Sequence, residues 1–516
     1  MKVRLLHPEH DVDLTPRLPW QLGVLIDEDL EMGRLYDAMA AGDEYLLDTA
    51  KRVIPLAVTD PDVIVYRQQV LADCLVNHAA VQQMYDVAAA VDGLELRRKV
   101  FLGGLGSRNS ELILRRSVRI LELLMKSLRQ LRGLTAEHAG QFRSTGLRQL
   151  SAMLAEQLPD DYMNRVDEYL GELRMSRGVL LSARIGHGNK GDGHVLHQPP
   201  RRGWWAGLTG SHSEAREFVI DDNDLDSEQA LTQLAGRAIN DAANTVTQSA
   251  EHVQRFFGRL RTELGFYLGC MNLRYTLAKR DVPVCFPVPT PIGAPRFASR
   301  GLRDVALCLA TGKNVTGNDV EADGKTLIVI TGANEGGKST FLRSVGAAQR
   351  MMQAGMFVTA EEFSANVRDG VFTHFKREED ATLKRGKLDE ELARMSAIAE
   401  HIGPTSLLLC NESFASTNAR EGSEIARGIV QAMVDSGVRV FFVTHLYDLA
   451  HSLYARHDPA DLFLKAERRP DGVRTFRLTS GEPEPTSYGE DCFRRVFGVA
   501  PGAGRYPLVR DSAVLG

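Results

Sequence analysis

Thr326-Leu327-Ile328-Val329-Ile330-Thr331-Gly332-Ala333-Asn334-Glu335-Gly336-Gly337-Lys338-Ser339-Thr340 is the stretch whose reading decides the fold. Its first five residues are a short apolar run of the kind that makes a buried parallel strand. Glycines at 332, 336 and 337 let the backbone wrap a phosphate chain, and a helix is expected to begin near Ser339. In such a loop the segment Gly332, Ala333, Asn334, Glu335, Gly336, Gly337, Lys338, Ser339 and Thr340 cradles the nucleotide. Lys338 reaches the β and γ phosphates, and the Ser339 hydroxyl ligates Mg²⁺. The pattern implies ATP binding with Mg²⁺.

Hydrolysis also needs a carboxylate at the end of a neighbouring strand. Ser406-Leu407-Leu408-Leu409-Cys410 reads as that strand, and Asn411-Glu412 follows it. Glu412 sits where a general base polarises the attacking water. Asn411 stands where an Asp usually serves the metal, so it is a metal-site candidate with Ser339. Its amide oxygen accepts a hydrogen bond but carries no charge, which implies weaker Mg²⁺ binding or slower hydrolysis. A third strand, Arg439-Val440-Phe441-Phe442-Val443, ends in Thr444-His445. A histidine there can contact a γ-phosphate or its attacking water, so His445 joins Glu412 and Lys338 as a catalytic candidate.

Outward from this α/β segment, the chain of 516 residues is too long for one hydrophobic core. A formal net charge of -5 excludes a globally basic nucleic-acid binder, so DNA contacts need a local patch. The six cysteines show no Cys-x-x-Cys spacing, which argues against zinc sites and disulfide frameworks. No run of roughly 20 apolar residues is present, so no membrane span is expected and the chain reads as cytoplasmic.

The first 175 residues read as mostly helical. Leu112, Leu121, Leu124, Leu128 and Leu131 recur near helical spacing, and Asp60-Pro61-Asp62 is a helix start. Turn residues from Gly186 to His194, between extended-looking flanks, suggest a hairpin. His187, His194 and His197 there invite a metal reading. A polar loop is preferred, because no carboxylate or Cys partner sits at ligand spacing. From Ser227 to Lys279 there is no proline. Ile239, Ala242, Val246, Ser249, Val253, Phe256, Leu260, Leu264, Tyr267 and Met271 form a near-heptad seam there, giving a rod of roughly 70 Å. Prolines between Pro283 and Pro295 end it. The expected domains are 1–177, 178–222, 223–282 and 283–516.

At this point the residues resemble a family. Thr331 to Thr340 is similar to the TGPNMGGKST loop of the MutS DNA mismatch-repair proteins, with Ala333 for Pro and Glu335 for Met. Gly317-Asn318-Asp319-Val320 resembles the family's P-N-D-[LV] element, which adds Asn318 to the nucleotide-binding candidates. Gly355 to Ala360, Val371-Phe372-Thr373-His374, Asn411 to Gly422, Thr444 to Leu449 and Thr486-Ser487-Tyr488-Gly489 resemble further family elements in the family's order. These motifs cover about residues 300–500. Upstream, Asp62-Val63-Ile64-Val65-Tyr66-Arg67 looks like the start of the MutS core.

The resemblance implies an α plus α/β architecture: a helical core with long lever helices, then a P-loop ATPase domain of the ABC type. Residues 227–279 would be the descending lever and 178–222 a reduced clamp. It implies a homodimer with composite ATP sites that opens and closes on DNA. In that dimer Lys387 either substitutes as a cation reaching the partner's nucleotide, or nothing from this segment reaches across. The chain begins almost at the core and shows no Phe-x-Glu element in its first hundred residues, so mismatch reading is not expected. Lys190, Arg201, Arg202, Trp204 and Trp205 are the candidate DNA contacts. Two tryptophans packed on a helix remain an equal reading of that cluster. The alternative function is a nucleotide-gated scaffold acting on a protein partner. An ABC transporter subunit is disfavoured, because no LSGGQ-like segment precedes Asn411.

Overall fold

The computed structural model describes residues 1–15, 18–102, 110–174, 180–185, 191–197, 225–311, 315–377, 386–469 and 473–484. Within these, only the backbone is described for 92–102, 110–112, 180–183, 185, 191–197 and 225–238. The clusters at His187, His194 and His197 and at Lys190, Arg201, Arg202, Trp204 and Trp205 therefore lie outside the described side chains, as does the Thr486–Gly489 element. The chain divides into one unit of residues 1–5 and 77–264 and another of 6–76 and 265–516.

Helices open the chain: α1 (Trp20–Asp29), α2 (Met32–Ala40), α3 (Glu44–Val53) and α4 (Pro61–Val76). α4 starts as its sequence predicts. Pro61 fills the first helical position, where a missing N–H costs nothing, and the Asp60 carboxylate accepts from the Asp62 N–H at 2.9 Å.

The first unit then contains α5 (His78–Leu102), α6 (Ser110–His138), α7 (Thr145–Gln157), α8 (Asp160–Leu173), the antiparallel strands β1 (Leu180–Ile185) and β2 (Gly191–His197), and most of α9 (Leu225–Ala278). Leu121, Leu124, Leu128 and Leu131 of α6 are buried as their spacing predicts. Arg129 and Arg132 of the same helix reach α8, where they meet Asp167 and Asp160. Buried Glu263 accepts the Leu5 N–H at 2.6 Å, which ties the N-terminus to α9.

α9 is one unbroken helix of 54 residues, about 80 Å at the usual rise. Its seam differs from the one read off the sequence. Ile239, Val246, Val253, Phe256, Leu260, Leu264, Tyr267 and Met271 are buried as expected, but Ala242 is only partly buried and Ser249 is exposed, and Ala243 and Ala250 are buried in their place. Phe257 is buried beside Phe256, and from 263 to 271 every residue is buried, so one stripe faces inward in the first part of the helix and all faces are covered in the later part. The small alanines at 243 and 250, hard to tell from Ala242 by hydrophobicity, take the inward positions.

In the second unit β3 (Val288–Thr290), β4 (Phe297–Leu302), α10 (Val305–Thr311), β5 (Asn318–Glu321), β6 (Leu327–Gly332), α11 (Lys338–Ala354), β7 (Glu362–Asn366) and β8 (Val371–Phe375) follow in order. After them come α12 (Lys387–Ala399), β9 (Leu407–Asn411), α13 (Ala419–Asp435), β10 (Arg439–Val443), α14 (Tyr447–Tyr454), β11 (Asp461–Arg468) and β12 (Arg474–Ser480). The main sheet runs β12-β11-β6-β10-β9-β8, parallel except for the β11–β12 hairpin. A smaller mixed sheet runs β3-β7-β4-β5. The continuous apolar runs read from the sequence are the central strands β6, β9 and β10, buried on both faces.

α11 is buried along nearly its whole length. Acidic residues of the first helices hold the arginines that emerge from or beside it. Arg350 pairs with Asp27, which also accepts from the Tyr36 hydroxyl. Arg343 bridges Glu31 and Asp304, and Arg377 lies 3.0 Å from Glu28. Buried Arg67 of α4 donates to Leu6 O at 2.6 Å and to Ala354 O at 3.4 Å, covering a carbonyl at the end of α11 where a cation is favoured. Among the described residues no helix is long and apolar enough to cross a membrane.

Candidate active site

The three strands that carry the motifs end side by side. β10 lies between β6 and β9, with Val443 in register with Ile330 on one side and Asn411 on the other. The strand order thus brings residues from three separate stretches to one edge, where α/β sheets place ligands.

The loop between β6 and α11 is shaped by close approach. Gly332 has φ 102°, and a Cβ added there would come 2.9 Å from Ala466 N. At Gly336 an added Cβ would lie 2.6 Å from the Ala466 side chain and 2.8 Å from Ala333 O. Strand β11 therefore presses the loop so tightly that only glycine fits, and Glu335 takes a left-handed φ of 57° at the exposed tip beside exposed Asn334. The result is a backbone cradle opening at the N-terminus of a 17-residue helix. Amides and helix dipole there favour an anion.

Lys338 is only 5% exposed, and its ammonium donates to Gly332 O at 3.0 Å and Ala333 O at 2.8 Å. Burial pushes its pKa down to about 8, against the attraction of Glu412. An ammonium so desolvated gains strongly from any anion that enters the cradle. The next residue, Ser339, donates to Asn411 Oδ1 at 2.8 Å, and Thr340 follows, partly buried. Two neutral oxygens side by side suit a hard cation such as Mg²⁺, with the charge left to Glu412 and to phosphate.

Glu412 lies one residue beyond β9 with φ 53°, and its N–H donates to Val443 O at 2.9 Å. Its carboxylate meets His445 Nε2 at 3.0 Å. That hydrogen bond, the largest influence, holds the carboxyl below the usual glutamate range despite partial burial. Lys338, Ser339, Asn411, Glu412 and His445 are thus gathered around one loop.

The Asn318 amide is engaged within the fold. It is buried, donates to Phe476 O at 3.2 Å and accepts from Leu478 N at 2.8 Å, so its amide is used to hold β12. That strand brings two residues that motif reading missed. Arg474 donates to Asn334 O at 3.1 Å, and Phe476, 49% exposed with φ 60°, backs onto Gly337. Nothing local in Arg474-Thr475-Phe476-Arg477 marks this strand as a neighbour of the loop. A second missed pair is His374 and Ser413, buried behind Glu412. Lys387 is the first residue of α12, and the preceding 378–385 lie outside the described residues.

Comparison with known proteins identifies the family. The model of the MutS2 N-terminal domain matches residues 59–280, and that of MutS domain V matches 328–495. Among similar curated proteins is the DNA mismatch repair protein MutS of Chloroflexus aurantiacus, 34% identical over 138 residues, which are 26% of this chain and 14% of that protein. The MutS protein homolog 4 of Mus musculus is 28% identical over 184 residues, 34% of this chain and 19% of that one. The DNA mismatch repair protein MutS of Thermotoga maritima is 35% identical over 181 residues, 34% of this chain and 22% of that one. The matched stretch spans less than a quarter of each of these relatives. With the two domain models in tandem over well over half its length, the chain belongs to the MutS family.

Proposed function

We propose that this chain is an ATP-hydrolysing, DNA-binding protein of MutS type, in which nucleotide opens and closes a homodimer on DNA without reading mismatches. The observation that carries the hydrolytic part is the Glu412 carboxylate, bonded to His445 and separated by the single strand β10 from β6, which leads into the glycine loop that ends in Lys338. On this reading the loop amides and Lys338 hold the phosphate chain. Phe476 offers an exposed aromatic face for the base. Glu412 accepts a proton from the attacking water, whose oxygen forms the new bond to the γ-phosphorus as the bridge to the β-phosphate breaks and ADP leaves. His445 keeps Glu412 ionised and senses the nucleotide. Ser339 and Asn411 would hold Mg²⁺, whose charge offsets that of the phosphates. α9 is the lever that carries nucleotide state toward the DNA-holding region near residues 178–222, and Lys387 is the candidate for reaching the partner's nucleotide. A cytoplasmic place of action belongs to this reading.

The test compares ATP turnover and DNA binding, with ATP, ADP or no nucleotide, across salt concentrations and on plain, mismatched and branched duplexes. Turnover that falls on the order of a hundredfold in Glu412→Gln while ATP still binds is expected. So is ATP-dependent DNA binding that weakens as salt rises. No DNA binding at low salt in any nucleotide state would sink the DNA part and leave a protein-directed, nucleotide-gated scaffold.

A further inference from the structure

Behind Glu412 sits a buried imidazole that the proposed chemistry does not use. His374 lies in β8 opposite Cys410 of β9 and is 1% exposed. Its Nε2 is 2.9 Å from Glu391 O in α12, a carbonyl that can only accept, so Nε2 carries the proton. Its Nδ1 is 2.7 Å from the fully buried Ser413 Oγ, which lies equally close to His374 O. The single Ser413 hydroxyl proton serves those two acceptors. Burial, helped by nearby Arg394, pushes the imidazole down to about 4 and keeps it neutral. The Phe414 ring stacks on it with centroids 5.2 Å apart and an interplanar angle of 20°.

What this imidazole grips is a strained turn. Glu412 and Phe414 take φ values of 53° and 63°, left-handed for residues with side chains, and Ser413 sits between them. Such a conformation persists only where its surroundings over-determine it. On the outer side the restraints are the Glu412 N–H to Val443 O and the Glu412 carboxylate to His445. On the inner side they are Ser413 and Phe414 against His374. We propose that His374 is a positioning residue for Glu412: by holding Ser413 and Phe414 and tying them to α12, it fixes the turn that keeps the carboxylate beside His445 and Lys338. This rests on the reading of Glu412 as the proton acceptor.

Asparagine and glutamine divide the two bonds of the imidazole. An Asn amide reaches the Nδ1 position and keeps the bond to Ser413, whereas a Gln amide reaches toward Glu391 O and loses Ser413. The experiment measures single-turnover ATP hydrolysis and the Kd of a fluorescent ATP analogue. It uses His374→Gln, His374→Asn and Ser413→Ala, each made in the wild-type chain and in Glu412→Gln. His374→Gln and Ser413→Ala are expected to slow turnover about tenfold, one bond's worth of barrier, with Kd within about twofold. His374→Asn should recover most of the rate, and the slowing should vanish in Glu412→Gln. Unchanged turnover in both His374→Gln and Ser413→Ala overturns the proposal, as does equal slowing with and without Glu412, while the role of Glu412 stands. Wild-type turnover in Glu412→Gln itself overturns both.

Discussion

Replacing Lys338 by Met should change the stability of the nucleotide-free protein in a pH-dependent way, more favourably at pH 7 than at pH 10. The ammonium is 5% exposed, and burial lowers its pKa from the ordinary 10.5 to about 8. A lysine depressed in this way makes the fold less stable wherever the unfolded chain would hold its proton and the folded chain resists it. The sign follows: the penalty is full below about 8, falls between about 8 and 10.5, and is gone above. Converted by linkage, it is about 3 kcal/mol at pH 7 and about 1 kcal/mol at pH 10. Lys338→Met therefore gains about 2 kcal/mol more over wild type at pH 7 than at pH 10. The two hydrogen bonds to Gly332 O and Ala333 O are lost in the variant at both pH values, so they cancel in this difference. The assay is denaturant or thermal unfolding of both proteins at the two pH values, with ATP affinity measured alongside. Roughly 4 °C of narrowing in the Tm difference is the expected scale. A Tm difference that stays constant from pH 7 to pH 10, or an undiminished ATP affinity in the variant, would refute the reasoning.

Other outcomes follow from the same geometry. His445→Ala removes the hydrogen bond that keeps Glu412 below its ordinary range, so the acid limb of kcat/KM should move to higher pH; a limb that stays put separates His445 from the ionisation of Glu412. Asn411→Asp adds a charge where Ser339 donates at 2.8 Å and should lower the Mg²⁺ concentration for half-maximal turnover about tenfold, measured by metal titration. Phe476→Ala should weaken ATP binding by about five- to tenfold in a fluorescence titration while kcat holds, because it removes an aromatic face and touches no reacting group.

Much of the α/β part was legible because its signals are local. The runs at 326–330 and 406–410 overlap strands β6 and β9, each displaced by a residue or two, the run at 439–443 is β10, and α11 starts at Lys338 next to the predicted Ser339. A strand buried on both faces must be continuously apolar, and a tight loop must be glycine-rich, so both are written in consecutive residues. The length of α9 was legible for the same reason: a proline-free stretch with apolar steps of three and four has few other solutions. Its inward face was harder. Ala242 and Ala243 are chemically identical, and only the packing partners decide which is buried.

What the sequence by itself determined is the inventory of the loop at 332–340 with Asn411, Glu412 and His445, since each is fixed by its own strand end. What only the tertiary structure decided is how distant residues meet them. Asp27 of α1 and Glu31, the cap before α2, meet arginines on α11, β12 carries Arg474 and Phe476 to the loop, and His374 reaches Ser413 behind Glu412. These contacts depend on strand order and helix placement rather than on neighbours in the chain. A side chain records its own conformational needs locally, but its partner is chosen by the packing of the whole unit.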